Sequence, residues 1–177
     1  MIYYFYATEH PQYLTAMRQL KVDLSVLGLP YTYDTYKHLT RFENLLIRPA
    51  VLLKTLRRHQ CPIVSLDVDC RVLDIPVFET CDIGCRMYNG NIPILGTLYL
   101  EPTEPTFDFL HAWYNLMLKT KVNQQIPFRK LFKDAKLRKG VLPDEYAVLR
   151  EEGEQFDHSV IIHDYISRSI DANSKPE

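Results

Sequence analysis

The chain has 177 residues, of which 46% are hydrophobic and 12% aromatic, so it can form one domain with a substantial core. The formal net charge of −1 indicates no particular partner and excludes a uniformly basic nucleic-acid-binding domain. No apolar run is long enough to cross a bilayer and the N-terminus lacks the basic start of a signal peptide, so we expect a cytoplasmic protein without a transmembrane segment.

The first third of the chain alternates between strand-like and helix-like segments. An aromatic-rich strand over residues 2–7 precedes a helix that begins at Pro11, because proline suits the first helical turn. Alternating residues over 31–36 predict a second strand. Since the residue before a proline avoids the helical region, we expect the next helix to begin at Pro49, with Arg48 at its N-terminus.

The middle of the chain contains the strongest strand and turn signals. Residues 61–68 are apolar almost throughout, which predicts a third strand covered on both faces, as in parallel sheets. Residues 82–88 and 94–100 read as a hairpin because Asn89-Gly90-Asn91 between them is a strong turn signal. The remaining predicted elements are a helix over 106–118, a short helix over 144–150, a last strand over 159–163 and a disordered tail over 171–177.

Two carboxylates follow the third predicted strand, in Asp67-Val68-Asp69. In an extended strand, side chains at i and i+2 point the same way, and two such carboxylates repel each other unless a cation lies between them. Mg²⁺ and Mn²⁺ take oxygen ligands and often bridge to phosphates. The motif therefore predicts a metal–diphosphate site, and the alternative is an acidic turn at the strand end that is either solvated or paired with Arg71.

The alternation of elements predicts a Rossmann-like α/β/α sandwich with a mainly parallel central sheet, in a single domain over residues 1–170. In such sheets, ligands bind beyond the carboxyl ends of the strands. Asp67 and Asp69 lie at that end of the third strand, so the predicted fold and the predicted site agree.

Several motifs occur in an order that resembles one enzyme family. They are Arg48-Pro49, Asp67-Val68-Asp69, Gly96-Thr97-Leu98-Tyr99-Leu100, the helix with Leu110 and Trp113, Asp144-Glu145, and Ile161-Ile162-His163 followed by Ser167-Arg168. Together they resemble the GT-A-fold glycosyltransferases, also called nucleotide-diphospho-sugar transferases. The resemblance covers about residues 1 to 168, in a chain that is short for the family and has Glu145 where Gln is more usual.

The resemblance implies a metal-dependent glycosyltransferase that moves a sugar from a nucleoside diphosphate donor, with a UDP-sugar favoured, to an acceptor hydroxyl. Asp67, Asp69 and His163 would hold Mn²⁺ or Mg²⁺, with Asp67 also near the nucleotide and His158 as the competing histidine. The other implied roles are diphosphate contact for Arg48, Ser167 and Arg168, contact with base and ribose for Tyr6 and Thr8, and acceptor contact, sugar orientation or general-base chemistry for Asp144 and Glu145.

Structural alternatives exist for these residues. Arg48 would be a surface arginine, Tyr6 a core residue, and His163 a histidine bonded to a backbone group. Asp144 and Glu145 would be an acidic pair favoured by a helix N-terminus.

The acceptor is unidentified, whether glycan, protein, lipid or modified nucleic acid. Basic residues over 129–139, interleaved with Phe128, Leu131 and Phe132, could bind an anionic acceptor such as nucleic acid or a lipid surface. The alternative is a solvated helix face with apolar residues packed beneath it.

Two other functions fit parts of the pattern. One is a catalytically silent module of the same fold that binds a sugar nucleotide or a partner. The other is a haloacid dehalogenase-like phosphatase, whose nucleophile motif is also Asp-x-Asp at a strand end. Cys70-Arg71 follows here where that family has Gly-Thr, and no later lysine and paired-aspartate motifs are evident.

Overall fold

The structure is a computed structural model that describes residues 1–37, 40–150, 153–154 and 157–163, without the side chains of residues 41 and 42. The elements in chain order are β1 (Ile2–Thr8), α1 (Pro11–Val26), β2 (Tyr31–Tyr36), α2 (Arg41–His59), β3 (Ile63–Leu66), β4 (Cys70–Val72), β5 (Ile83–Tyr88), β6 (Ile92–Leu100), α3 (Glu104–Thr120), α4 (Gln125–Asp134), β7 (Lys139–Val141), a 3-10 turn (Asp144–Tyr146), β8 (Val148–Leu149) and β9 (Ile161–His163).

The main sheet has six strands in the order β2-β1-β3-β6-β5-β7. Strand β1 is parallel to β2 and β3, and β5 is parallel to β7, whereas β6 is antiparallel to both β3 and β5. The predicted β5–β6 hairpin is confirmed, and its turn has positive φ at Asn89 (49°) and Gly90 (72°), as a tight hairpin requires. The mainly parallel central sheet predicted from the sequence is therefore confirmed.

Helices cover both faces of this sheet. Alternate residues of β1 point to opposite sides, so Phe5 packs with Leu20 and Leu24 of α1 on one face. On the other face, Tyr4 packs with Leu56 of α2 and Trp113 of α3. The α/β/α sandwich is thus confirmed, and none of the described helices has the length and apolarity needed to span a membrane.

Helix α2 begins eight residues earlier than the proline predicted. Thr40 caps it by accepting a hydrogen bond from the Glu43 backbone N–H, and the Glu43 side chain accepts from the Thr40 backbone in return. This capping box is the local start signal, and Pro49 lies inside the helix. The prediction that Arg48 stands at a helix N-terminus is therefore wrong, because Arg48 is in the middle of α2.

The strand before the acidic motif is shorter than predicted. Strand β3 ends at Leu66, and the chain then turns, with the Cys70 N–H donating to the Asp67 carbonyl at 3.1 Å. This turn leads into a second sheet with the order β4-β9-β8. Strands β4 and β9 are antiparallel, and their register places Cys70 opposite His163.

Two regions in the second half of the chain also differ from the prediction. The expected short helix over 144–150 is a single 3-10 turn followed by β8. Within the basic region, α4 buries Phe128 and Phe132 and exposes Arg129. The aromatic side chains therefore pack inward and the basic ones face solvent, and the binding of an anionic partner by this region stays a prediction.

Candidate metal and nucleotide site

Asp67, Asp69 and His163 form the candidate metal centre. Each offers one ligand atom, and these atoms all lie within 4.8 Å of one another. The carboxylates are close for a different reason from the one that the sequence suggested. Residues 68 and 69 lie in the turn after β3, so the turn, and not strand alternation, brings Asp69 back toward Asp67.

His163 is buried, and its ring lies over a glycine. Its Nδ1 is 3.1 Å from Cys70 Sγ, and its Nε2 is 3.2 Å from Thr97 Oγ1. A Cβ added at Gly96 would lie 2.1 Å from the His163 Cε1 atom, so only glycine fits there. The structure places His163, and not the exposed His158, beside the acidic pair.

Cys70 is the nearest thiol to this centre. It is buried, and burial together with the neighbouring Asp67 and Asp69 carboxylates holds the pKa of its thiol well above the ordinary value. Burial therefore favours the neutral thiol, whose sulfur lies against the His163 ring.

Arg48 joins the acidic motif from α2. Its guanidinium is 2% exposed. Nη1 donates to Asp67 Oδ1 at 2.7 Å, and Nη2 donates to the Leu95 carbonyl. The Asp67 side chain is 41% exposed, so its carboxylate bridges a buried cation and the open cleft. The Nε of Arg48 is buried and has no hydrogen-bond partner in the described part of the chain.

A bulge in β6 shapes this side of the site. The β5–β6 register passes from Cys85 opposite Leu98 to Arg86 opposite Ile94, so residues 95–97 have no partner in β5. The bulged residues contact the site: the Gly96 carbonyl accepts from the Asp67 N–H at 2.8 Å, while Leu95 and Thr97 contact Arg48 and His163. Bulges of this kind occur frequently beside active sites.

These groups open onto a cleft of about 230 Å³. Tyr6 lies in its wall and donates from its hydroxyl to the Asn44 carbonyl at 2.9 Å, and burial raises the pKa of that hydroxyl. Buried oxygens of Asn44 and Gln124 have no hydrogen-bond partner among the described residues. Unpaired polar groups are uncommon inside proteins. The cleft is lined by Tyr6, Tyr13, Asn44, Leu45, Arg48, Leu66, Asp67, Val68, Asp69, Ile94, Leu95, Gly96, Asn123, Gln124, Gln125, Leu149 and His163.

Three solved structures with a similar fold are glycosyltransferases. One is a glycosyltransferase involved in the glycosylation of the major capsid of PBCV-1, with a TM-score of 0.67 and 11% identity, over 96% of this chain and 97% of that one. Another is the glycosyltransferase GlyE of Streptococcus pneumoniae TIGR4, with a TM-score of 0.65 and 12% identity, over 92% of this chain and 54% of GlyE.

The chain has a glycosyltransferase fold. The apo form of GlyE gives a similar comparison, with a TM-score of 0.64 and 13% identity. The chain spans about half the length of the GlyE chains. No protein-family model matches the sequence, and the comparison with curated proteins finds no match. The phosphatase alternative thus loses the fold on which it depended.

Within this glycosyltransferase fold, some predicted site residues lie away from the cleft. Thr8 is buried at the end of β1 and is not part of the cleft lining. Asp144 and Glu145 are not part of it either, and Asp144 accepts a 2.9 Å hydrogen bond from Arg86 Nε. Their predicted roles stay predictions. Ser167 and Arg168 lie outside the described residues.

Arg86 forms a network that the sequence did not indicate. It is 4% exposed, and its guanidinium makes two 2.6 Å bonds to the Glu154 carboxylate and one of 2.7 Å to the Ala147 carbonyl. Glu154 also accepts from the Leu149 N–H at 2.8 Å, and the bonds from Arg86 lower the pKa of its carboxyl. This network fixes β8, which contributes Leu149 to the cleft wall.

Proposed function

We propose that the protein is a metal-dependent glycosyltransferase that moves a sugar from a nucleoside diphosphate donor, with a UDP-sugar favoured, to an acceptor hydroxyl. The observation that carries the proposal is the Asp67–Asp69–His163 cluster, which lies in a cleft of a glycosyltransferase fold.

The donor set of this cluster suits the proposed metal. Two carboxylates favour hard cations such as Mg²⁺ and Mn²⁺, and an imidazole suits transition metals, so the combination favours Mn²⁺. The space left by Gly96 holds the His163 ring beside the carboxylates. Bound there, Mn²⁺ would act as a Lewis acid that neutralises charge on the leaving diphosphate.

The chain's own residues supply the remaining chemistry. Arg48 orients the Asp67 carboxylate through a charge-assisted bond, and its positive charge lies where an anionic diphosphate would approach. Its buried Nε keeps one donor without a partner in the described residues. Ile94, Leu95 and Leu149 contribute apolar surface to the cleft, and a bound donor that displaces water there would strengthen these electrostatic interactions.

A catalytically silent sugar-nucleotide-binding module is the second candidate. It is favoured by the cleft lining, in which Asp67 and Asp69 are the only carboxylates that the described residues contribute. Asp144, the first candidate for a general base, is paired with Arg86. A protein that binds UDP-sugar with Mn²⁺ but neither transfers nor hydrolyses the sugar would be this module.

Calorimetric titration of UDP and GDP, each with and without Mn²⁺, tests the proposal. We expect metal-dependent UDP binding that Asp69→Asn weakens at least tenfold, since it removes a charged ligand. Asp74→Asn is the matched control, because Asp74 is exposed and, among the described residues, its carboxylate bonds only to the adjacent Ile75 N–H. Nucleotide binding that ignores Mn²⁺, or no binding, would overturn the proposal.

A histidine pair tests the ligand assignment in the same titration. His163→Ala should weaken Mn²⁺-dependent UDP binding, whereas His158→Ala should leave it unchanged, because His158 is exposed and outside the cluster. The reverse order would assign the ligand to His158.

A further inference from the structure

The near-neutral charge of the chain conceals a strongly basic segment. Residues 119–139 contain eight of the 21 Lys and Arg residues and, in Asp134, only one of the 22 acidic residues. The rest of the chain therefore has 13 basic and 21 acidic residues. Such segregation creates a local positive potential that the total charge does not reveal.

Much of this charge is exposed on α3 and α4, two helices that pack on each other through Phe109, Trp113 and Phe128. Along α4, Ile126, Arg129, Lys130 and Lys133 are exposed at helical spacing, and Ile126 is 61% exposed. The end of α3 and the connection after it add exposed residues, of which Leu118 is 45% exposed. We call this surface the basic face: Leu118, Lys119, Lys121, Ile126, Arg129, Lys130 and Lys133.

The described residues do not form ion pairs with the cations of the basic face, although Asp108 and Asp134 line one surface pocket with Lys130. Across the described residues, none of its five Lys and Arg side chains forms an ion pair. Arg138, by contrast, belongs to the same segment but is paired with Asp82 at 2.8 Å. The charge on the face is therefore available to a partner.

The basic face begins at the edge of the candidate cleft. Asn123 and Gln124, in the connection between α3 and α4, line the cleft together with Gln125, the first residue of α4. The Trp113 indole N–H donates to the Gln124 carbonyl at 3.0 Å, which fixes the connection to α3. A partner bound to the face is thereby held beside the cleft.

We propose that the basic face docks on a membrane surface that contains anionic lipids, and so presents the cleft to an acceptor held in that surface. Only the second part rests on the proposed function. Exposed Ile126 and Leu118 among lysines and arginines suit the boundary between headgroups and acyl chains. Single-stranded nucleic acid needs aromatic rings on which bases stack, and here Phe128 and Phe132 are buried.

Vesicle flotation tests the docking with the full chain. We expect binding to phosphatidylcholine vesicles that contain about 30% phosphatidylglycerol and little binding to pure phosphatidylcholine. Binding to the anionic vesicles should weaken as the salt concentration rises. Each basic residue near an anionic leaflet strengthens binding about fivefold. The absence of binding to the anionic vesicles, or equal binding to the neutral ones, would overturn the proposal.

A matched pair of double variants locates the surface. Arg129→Glu with Lys133→Glu should weaken vesicle binding at least ~25-fold, at about fivefold for each of the two lost charges. Lys54→Glu with Arg58→Glu is the control, because these residues have the same types, the same i, i+4 spacing and the same exposure on α2. An equal loss in both double variants would overturn the assignment to the basic face.

The apolar contribution has its own control. Ile126→Ser should weaken binding to the anionic vesicles, whereas Val26→Ser, at the exposed end of α1, should not. If Ile126→Ser has no effect and single-stranded RNA binds more tightly than the vesicles at the same salt, the partner is nucleic acid and the proposal is wrong. Titration of UDP with Mn²⁺ is carried out on the same preparation. Vesicle binding without UDP binding would support the docking proposal and overturn the proposed glycosyltransferase function.

Discussion

The protein buries two arginines in different ways. Arg86 pairs with two carboxylates, Asp144 and Glu154, and also donates to a backbone carbonyl. Arg48 is equally buried, but it pairs with one half-exposed carboxylate, Asp67, and its Nε has no partner in the described residues. Both lie near the cleft, yet only Arg48 lines it.

This difference in pairing indicates a structural role for Arg86 and a ligand-binding role for Arg48. A buried guanidinium needs compensation for its lost hydration, and Arg86 obtains it within the protein. Arg48 is incompletely compensated, and an anionic ligand in the cleft would complete it. Removal of Arg86 should therefore affect folding, and removal of Arg48 should affect binding.

The largest expected effect is on stability, in Arg86→Met. We expect the free energy of unfolding in urea to fall by about 3 kcal/mol, because Glu154, whose side chain is only 15% exposed, loses its partner. Arg86→Lys, which retains the charge but not the forked geometry, should lose less. Mn²⁺-dependent UDP binding by the folded fraction should weaken less than in Arg48→Met, because Arg86 acts on the cleft only through β8 and Leu149. A loss of binding as large as that of Arg48→Met would remove the contrast between the two arginines.

Gly96→Ala should affect both folding and binding. Its Cβ would lie 2.1 Å from His163 Cε1, so the ring must move, at a cost of about 1–3 kcal/mol in stability. Mn²⁺-dependent UDP binding should fall at least tenfold on titration. Gly84→Ala in β5 is the control for binding, because its Cβ would meet Cys81, Leu142 and Tyr99 at 3.2–3.3 Å and so crowd the core without touching His163. Full nucleotide binding in Gly96→Ala would show that the position of His163 is irrelevant.

Arg48→Met should weaken UDP binding about tenfold, or 1.4 kcal/mol, because the diphosphate loses a cation. Its unfolding free energy should fall by only about 1–2 kcal/mol, since exposed Asp67 rehydrates while the Leu95 carbonyl loses its donor. Titration and urea unfolding on one preparation give both numbers. Unchanged UDP binding with a stability loss equal to that of Arg86→Met would make both arginines structural.

The smallest expected effect is a pH dependence of the Arg86 network. The pKa of Glu154 in the folded protein lies below its ordinary value of 4.5, with the bonds from Arg86 as the main cause. The stabilisation is therefore fully present above about pH 4.5 and is lost as pH falls through the lower, folded-state pKa. Unfolding free energies between pH 6 and pH 3 should decline less steeply in Glu154→Gln than in the parent. Identical slopes in the two proteins would exclude Glu154 as a cause of the pH dependence of stability.

Local signals in the sequence predicted local structure well. Asn89-Gly90 predicted the hairpin because its turn needs two residues with positive φ, which these residues tolerate. Pro11 predicted the start of α1 because the fixed φ of proline suits the first turn of a helix. The start of α2 differs from the prediction because the capping box of Thr40 and Glu43 begins the helix and Pro49 is accommodated inside it.

The candidate site was predicted in composition but not in geometry. The resemblance to glycosyltransferases grouped Asp67, Asp69 and His163, which the structure brings together. The partners of Arg86 lie up to 68 residues away, and no local pattern encodes a contact at that separation. The role of Gly96 had one local signal, since an isolated glycine in a strand often marks the close approach of another group.

The pairing of β4 with β9 has a practical consequence. Cys70 faces His163 and Arg71 faces Ile162 in this short ladder. Because successive residues of a strand face opposite ways, a slip by one position would turn the imidazole away from the acidic turn and present Ile162 instead. High-affinity Mn²⁺ uptake would then require correct alignment of the two strands, so the fraction of protein that takes up the ion would measure the quality of a refolded preparation.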